Sequence, residues 1–182
     1  MPLKLGLPWN WGATPQELAR HYPCDDESVG GATEAWFRAV DVRAGTASTY
    51  RWLCQLRYAP YSYDLLDNGG RRSPRTLTPG AEQLTVGQRM VAIFALASFT
   101  EGEHVTLRIV TPGGRRVFGD CVITYQVLPA GPERSRLVAK LVVPVRHGLL
   151  NGIARPLFAW GDLVMMHRQL RTLAALAARE KV

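Results

Sequence analysis

The chain has 182 residues, of which 47% are hydrophobic and 20% are charged. This length is enough for one domain with a sizeable core, and no apolar run approaches the roughly 18 residues that a membrane span requires. The N-terminus lacks a sustained apolar core and a small-residue cleavage site, so the sequence predicts neither a membrane span nor a secretory signal, and we expect a cytoplasmic protein.

The formal net charge is +7. The basic residues are scattered apart from three arginines in one loop, so we expect no nucleic-acid partner. Cys24, Cys54 and Cys121 show no CxxC spacing, which fits reduced packing thiols better than a disulfide framework or a zinc site. The histidines are far apart, and no nucleotide-binding motif is present, so we expect no metal and no cofactor.

The first part of the chain, residues 1–32, is rich in proline and carries Trp9 and Trp11. Two tryptophans are unfavourable in an exposed tail, so we expect this segment to be an arm that packs on a single domain formed by residues 33–182. An exposed apolar patch around both tryptophans would instead indicate a module that binds another protein.

Four segments before residue 69 show the signals of regular elements. Hydroxyl caps and apolar periodicity predict two helices, and a run long enough for two turns that stops at Gly69-Gly70 predicts a third. Alternation of β-forming residues predicts one strand. The segments are a short helix over Thr14 to His21 with Thr14 and Glu17 as its capping pair, a strand over Thr33 to Val42, a helix over Thr46 to Leu56, and a helix over Tyr61 to Asn68. Two short helices are therefore expected after the first strand.

Residues 69–88 have the composition of a loop, with prolines and glycines among arginines and threonines. A loop of this length in a compact domain is usually a lid or a binding element. Since it offers few apolar contacts, we expect the segment from Gly69 to Gly87 to be a mobile gate.

After residue 89 the apolar pattern changes to a period of two. Strand-like segments alternate with turns that contain glycine, proline or acidic residues, which predicts consecutive antiparallel strands. The predicted strands are Met90 to Phe99, His104 to Val110, Arg116 to Leu128 and Ser135 to Val145.

The last stretch, from Trp160 to Val182, predicts a long helix with Asp162 as its N-cap. One face is apolar and the opposite face is polar. The apolar face carries Leu163, Met166, Leu170, Leu173, Ala174 and Ala177, and the polar face carries Arg168, Arg171, Thr172 and Arg179. We expect Met166 and Leu170 to contact a cavity, and Arg168 and Arg171 to point away from it.

This order of elements predicts an α+β domain in which the last helix packs on one face of an antiparallel sheet. The apolar stripe of the helix is long and needs a large apolar partner, and the strands are the candidate partner. Met166 fits either a pliable ligand cavity or ordinary core packing, because thioethers adapt to irregular surroundings.

A group of polar-tipped residues lies between the predicted helices and the long loop: Tyr58, Tyr61, Tyr63 and Asp64. Tyrosine combines a large apolar body with one hydroxyl, which suits a mostly apolar pocket that needs a few oriented polar groups. The same residues also fit a packing corner with satisfied hydroxyls, and the composition leaves both interpretations open.

Several motifs together resemble those of a known superfamily. The run AGTASTYRWLCQL at Ala44 to Leu56 resembles A-P-P-E-x-V-W-x-W-L-x-Q, and PYSYDLLDN at Pro60 to Asn68 resembles W-Y-S-Y-D-x-L-E-N. LTVGQ at Leu84 to Gln88 resembles L-x-V-G-D, and LVMMHRQL at Leu163 to Leu170 resembles F-x-M-E-R-R-M-L. These segments occur in bacterial proteins of the SRPBCC or START-like superfamily, which includes polyketide cyclases and lipid-transport proteins.

The resemblance implies a helix-grip fold, in which a curved antiparallel sheet of about six or seven strands wraps around the long C-terminal helix. It also implies an apolar tunnel between sheet and helix. Gly45 and Thr46 stand where the superfamily has prolines, and Gln88 stands where it has an acidic residue. These differences leave the fold expectation intact and bear on the ligand chemistry.

The leading functional hypothesis is binding of an apolar or amphipathic small molecule, lipid or polyketide-like, between the sheet and the C-terminal helix. The expected ligand-binding residues are Tyr58, Tyr61, Tyr63, Asp64, Leu163, Met166 and Leu170. The alternative hypothesis is a cyclase or dehydratase in which Tyr61, Tyr63 and Asp64 orient a carbonyl or hydroxyl and act as acid or base. A homodimer is left open.

Overall fold

The computed structural model describes residues 6–27, 31–63, 69–91, 93–145 and 149–180. Asp64 and most of the helix predicted over Tyr61 to Asn68 lie outside these ranges. Within them, no helix is long and apolar enough to cross a membrane.

A six-stranded sheet forms the frame of the domain, in the order β1-β2-β6-β5-β4-β3. All neighbouring strands are antiparallel except β1 and β2, which are parallel. The strands are β1 (Asn10–Trp11), β2 (Thr33–Val42), β3 (Phe94–Thr100), β4 (His104–Ile109), β5 (Val122–Gly131) and β6 (Arg134–Pro144). The expected antiparallel α+β architecture is confirmed.

Side-chain alternation divides the sheet into two buried faces. The inner face includes Trp36, Ile123 and Tyr125 and belongs to the main core under the C-terminal helix. The outer face includes Phe37 and Val138, which pack in a second cluster. Because both faces are covered, β2 is buried along most of its length and does not show the polar face of a solvent-exposed strand.

Five α-helices accompany the sheet in the described part of the chain. They are α1 (Pro15–Ala19), α2 (Pro23–Asp26), α3 (Thr46–Cys54), which continues as a 3-10 turn over Gln55–Arg57, α4 (Pro112–Phe118) and α5 (Leu149–Ala177). The helices predicted over Thr14 to His21 and Thr46 to Leu56 are confirmed with bounds shifted by a few residues. The Thr14 and Glu17 capping box is present as predicted.

The prediction of a strand from Arg116 was wrong at its start. Residues 112–118 form α4, and β5 begins only at Val122. Thr111 is the N-cap, its hydroxyl accepts a hydrogen bond from the Gly114 N–H at 3.2 Å, and Pro112 occupies the first turn. A threonine cap followed by proline starts a helix, and this signal outweighs the short apolar alternation that follows it.

The C-terminal helix begins earlier than predicted. Helix α5 starts at Leu149, continues through Pro156, and ends at Ala177. Asp162 is therefore not an N-cap but lies in the middle of the helix. Proline removes one backbone hydrogen bond, and the neighbouring Arg155 ties this part of the helix to β2 through its hydrogen bond to Glu34.

The predicted register of α5 is confirmed. The apolar face is buried at Leu163, Met166, Leu170, Leu173, Ala174 and Ala177, while Arg168, Arg171 and Arg179 are exposed and Thr172 is half-buried. Burying a leucine or methionine contributes about 1.5–3 kcal/mol each. The main core therefore runs along the length of this helix.

Residues 6–27 cover one edge and the outer face of the sheet. Trp11 packs against the His167 ring with centroids 4.5 Å apart, and Tyr22 and Cys24 are fully buried in the outer cluster. Gly12 has a φ of 78°, and a Cβ at this position would clash with the Ala39 carbonyl oxygen. Glycine is therefore required where this segment crosses β2.

An ion pair holds the same segment to β6. The Arg136 guanidinium donates hydrogen bonds to Glu17 Oε1 at 2.9 Å and Glu17 Oε2 at 2.8 Å, and to the Gly12 carbonyl at 2.9 Å. Burial opposes ionisation of Glu17, but the bonds from Arg136 and from the Thr14 backbone prevail, so the pKa of Glu17 is lowered.

Glu17→Gln is expected to destabilise the protein by about 1–3 kcal/mol at neutral pH, because it removes a charged acceptor from a nearly buried guanidinium. A carboxyl whose pKa is lowered on folding adds stability that is present above its unfolded pKa and is lost as the pH falls through the folded value. The stability gap between wild type and variant should thus narrow in acid. Urea unfolding across the acid range measures it, with the exposed Glu133→Gln as control. If the difference in unfolding free energy between wild type and variant does not change with pH, the charged Glu17 carboxylate does not stabilise the fold as assigned.

Candidate functional site

A cavity of about 680 Å³ lies between the inner face of the sheet and residues 154–169 of α5. Its size is typical of sites that enclose one small organic molecule. The sheet side is lined mainly by apolar residues, which include Trp36, Phe94, Ile109, Ile123, Tyr125, Leu141 and Val143, and α4 adds Val117 and Phe118.

The helix side of the cavity has the spacing of a single α-helical face. Its lining residues are Ala154, Arg155, Leu157, Phe158, Gly161, Asp162, Met165, Met166 and Gln169. Gly161 widens the cavity, because a Cβ at this position would find no atom within 4 Å. Met165 and Met166 add thioethers, which adapt to ligands of irregular shape.

Asp162 is a charged residue of the lining, and it forms an ion pair with Arg38 of β2. Arg38 is 0% exposed, and both hydrogen bonds that it donates to the carboxylate fall on Asp162 Oδ2, at 3.1 Å from Nε and 2.8 Å from Nη2. Arg38 also donates to the carbonyls of Trp9 and Phe37 at 2.9 and 2.8 Å. Burial raises the pKa of Asp162, and the guanidinium charge opposes that rise.

A second polar group lies on the cavity wall farther along α5. The Tyr125 hydroxyl donates to Gln169 Oε1 at 2.7 Å, and Gln169 Nε2 donates to the Pro60 carbonyl at 2.7 Å. Burial raises the pKa of Tyr125, so its hydroxyl keeps its proton at neutral pH. The pair can orient a polar atom of a ligand, and Tyr125 is poorly suited to remove a proton.

Arg155 of α5 also lines the cavity, and it forms an ion pair with Glu34 of β2. Arg155 Nε donates to Glu34 Oε2 at 2.9 Å, and the Trp36 indole N–H donates to the same oxygen at 3.3 Å. Both arginines in this region therefore have a carboxylate partner. The charges of the cavity wall are balanced.

Apolar side chains border the outer end of the cavity. Leu157 is 67% exposed, and Val117, Phe118 and Phe158 are also exposed. The Phe118 and Phe158 rings make an edge-to-face contact with centroids 5.6 Å apart. Exposed apolar groups that line a cavity are typical of an opening through which an apolar ligand passes.

The predicted tyrosine group does not converge on this cavity. Tyr58 and Tyr63 are exposed, with Tyr63 under the Arg168 guanidinium. Tyr61 is buried, has a φ of 56°, and packs edge-to-face on Trp52 at 6.3 Å. In the described part of the chain, none of these tyrosines lines the cavity, whereas the neighbouring Pro60 and Ser62 do.

The predicted helix residues divide into two groups. Met166 lines the cavity, and Leu163 and Leu170 are buried in the protein without lining it. The loop from Gly69 to Gly87 contributes no lining residue in the described ranges. Its role as a gate stays a prediction, as do the ligand contacts of the tyrosines and Asp64.

Sequence reasoning missed Arg38, Tyr125 and Gln169. A usable signal exists for Gln169 and Asp162, since they interrupt an otherwise apolar helical face at a spacing of i and i+7. No group of three or more metal-ligating side chains is present among the described residues.

No protein-family model and no curated protein matches the chain. Solved structures do match. Norcoclaurine synthase from Thalictrum flavum, in complex with dopamine and hydroxybenzaldehyde, has a TM-score of 0.52 at 16% identity, over 83% of this chain and 90% of that one. A protein from Thermobifida fusca has a TM-score of 0.53 at 14% identity, over 80% and 93%. The protein has a START-like helix-grip fold.

A START superfamily protein from Mycobacterium smegmatis has a TM-score of 0.48 at 14% identity, over 78% of this chain and 94% of that one. At such identities the likeness concerns the fold alone. The START-like fold places the cavity between sheet and helix, and the identity of a ligand has to be argued from the side chains that line it.

Proposed function

We propose that the protein binds an apolar or amphipathic small molecule, lipid or polyketide-like, in the cavity between the sheet and α5. The observation that carries this proposal is the cavity of about 680 Å³, whose wall is mostly apolar and includes a few polar groups fixed by hydrogen bonds. Such a combination is typical of sites that hold small organic molecules. Norcoclaurine synthase, which has the same fold, holds dopamine and hydroxybenzaldehyde.

The alternative is a cyclase or dehydratase that uses Tyr61, Tyr63 and Asp64. Acid or base catalysis requires these groups within hydrogen-bond reach of a bound substrate. The position of Tyr63 on the surface and of Tyr61 against Trp52 gives this alternative no support. Binding without chemistry is therefore preferred.

Filling the cavity tests the proposal. Gly161→Phe is expected to weaken binding of the neutral fluorescent probe N-phenylnaphthylamine by about tenfold or more, because the ring occupies space that is open in the wild type. The helix should tolerate the change, since phenylalanine has a higher helix propensity than glycine. Fluorescence titration measures the affinity.

Two variants serve as controls. Gly161→Ala should keep the affinity and raise stability by about 0.5–1 kcal/mol. Ala175→Phe places the same ring at an exposed position of α5, away from the cavity, and should also bind the probe normally. Failure of the wild type to bind the probe, or equal binding by Gly161→Phe, would refute the proposal.

A further inference from the structure

The Oδ1 atom of Asp162 accepts no hydrogen bond from the described residues. Both hydrogen bonds from Arg38 fall on Oδ2, and among the described residues no N–H or O–H reaches Oδ1. The side chain lines the cavity and retains 21% of its accessible surface. A carboxylate oxygen beside an apolar cavity is a strong acceptor, and leaving it without a donor is costly.

The surrounding charges decide which donor fits. Arg38 already neutralises Asp162, so an ammonium group would meet no net negative charge and would lose its hydration. An anion would be repelled by the carboxylate, and Arg155, the cation among the described lining residues, is paired with Glu34. A neutral donor avoids both costs.

The other polar groups of the wall do not satisfy Asp162. The Tyr125 proton is used by Gln169, and Gln169 in turn donates to Pro60. Among the described lining residues, neither Tyr125 nor Gln169 therefore donates to Asp162 Oδ1, which stays an acceptor on the cavity wall. A ligand that carries only ether or carbonyl oxygens would leave that acceptor unpaired.

We propose that the cavity selects neutral ligands with a hydroxyl group on an apolar frame, and that Asp162 Oδ1 accepts the hydrogen bond from this hydroxyl. The inference rests on the proposed binding function, and it specifies in addition that the ligand is uncharged and carries a hydrogen-bond donor. Arg38 acts as a positioning residue, because it fixes the carboxylate and leaves one oxygen free.

Matched probes test the inference on the unmodified full chain. Naphthol, methoxynaphthalene and naphthoate share one apolar frame and differ in whether the oxygen donates, only accepts, or is charged. Calorimetric titration should show naphthol binding about ten- to a hundredfold more tightly than methoxynaphthalene, the range expected for one hydrogen bond to a charged acceptor. Naphthoate should bind most weakly.

Asp162→Asn should abolish the preference for naphthol. Arg38 retains the amide oxygen, so the amide NH₂ turns towards the cavity and the acceptor becomes a donor. Asp26→Asn makes the same chemical change on the surface and should leave the preference intact. Since Asp162→Asn weakens the partner of a buried arginine and could unfold the protein, circular dichroism checks its fold. The comparison of naphthol with methoxynaphthalene on the wild type tests the inference without any variant.

The outcomes separate the two proposals. If methoxynaphthalene binds the wild type as tightly as naphthol, or if Asp162→Asn folds and keeps the preference, the role of Asp162 is refuted while the binding function stands. If neither naphthalene derivative nor N-phenylnaphthylamine binds, the binding function fails and this inference fails with it.

Discussion

Arg38→Met is expected to lower the free energy of unfolding by about 3–5 kcal/mol, because it leaves the Asp162 carboxylate without its partner in a mostly apolar wall. The guanidinium also donates to the Trp9 and Phe37 carbonyls, which would lose a charged donor. Urea unfolding of the two proteins measures the difference.

A double variant separates the lost ion pair from lost packing. Arg38→Met combined with Asp162→Leu removes both charges, and replacing a buried pair by apolar residues often restores much of the stability. Arg168→Met, an exposed position on α5, should change stability by less than about 0.5 kcal/mol. If Arg38→Met costs no more than Arg168→Met, the buried pair does not hold β2 and α5 together.

Regular periodicity made the sheet and the helical register predictable. Leu170 and Arg168 lie on opposite sides of α5 in the sequence projection, and the structure places the first in the core and the second at the surface. The angle between successive side chains around a helix is set by the backbone geometry. It therefore does not depend on the tertiary contacts of the helix. Local signals of this kind determined most of the fold.

Asp162 is a residue whose role could not be predicted from its local sequence. An aspartate at the start of an apolar stripe has the pattern of an N-cap, and this was the interpretation of the sequence. Its actual partner, Arg38, is 124 residues away along the chain. Only the pairing of α5 with β2 brings the two together, and no local pattern encodes that contact.

The predicted tyrosine site shows a second reason why a prediction from sequence can be wrong. Their segment is irregular, and Tyr61 has a left-handed backbone that turns its side chain in a direction that no periodicity describes. Tyr125, by contrast, alternates on a regular strand, and its inward direction follows from the pleat. Composition singled out a dense group of tyrosines, whereas the tyrosine that lines the cavity is a single one on a regular strand.

The resemblance to the START-like superfamily predicted the fold more fully than the site. In the first motif, the matching residues Ala44, Trp52, Leu53 and Gln55 are all buried, and none of them lines the cavity in the described part of the chain. These positions specify how α3 packs against the core, and packing residues carry little about a ligand. Ser62 of the second motif and Met165 of the last motif do line the cavity.

Leu170→Ala is expected to cost about 2–5 kcal/mol, since Leu170 is completely buried and its removal creates a new void in packed core. Met166→Ala, one turn earlier, should cost about 2 kcal/mol or less, because Met166 borders space that is already open and its removal enlarges an existing cavity. Urea unfolding compares the two variants, and probe titration reports the effect on binding, which should change more in Met166→Ala. Equal stability costs at both positions would mean that Met166 is packed as tightly as Leu170, and the ligand cavity would then have to end before that turn of α5.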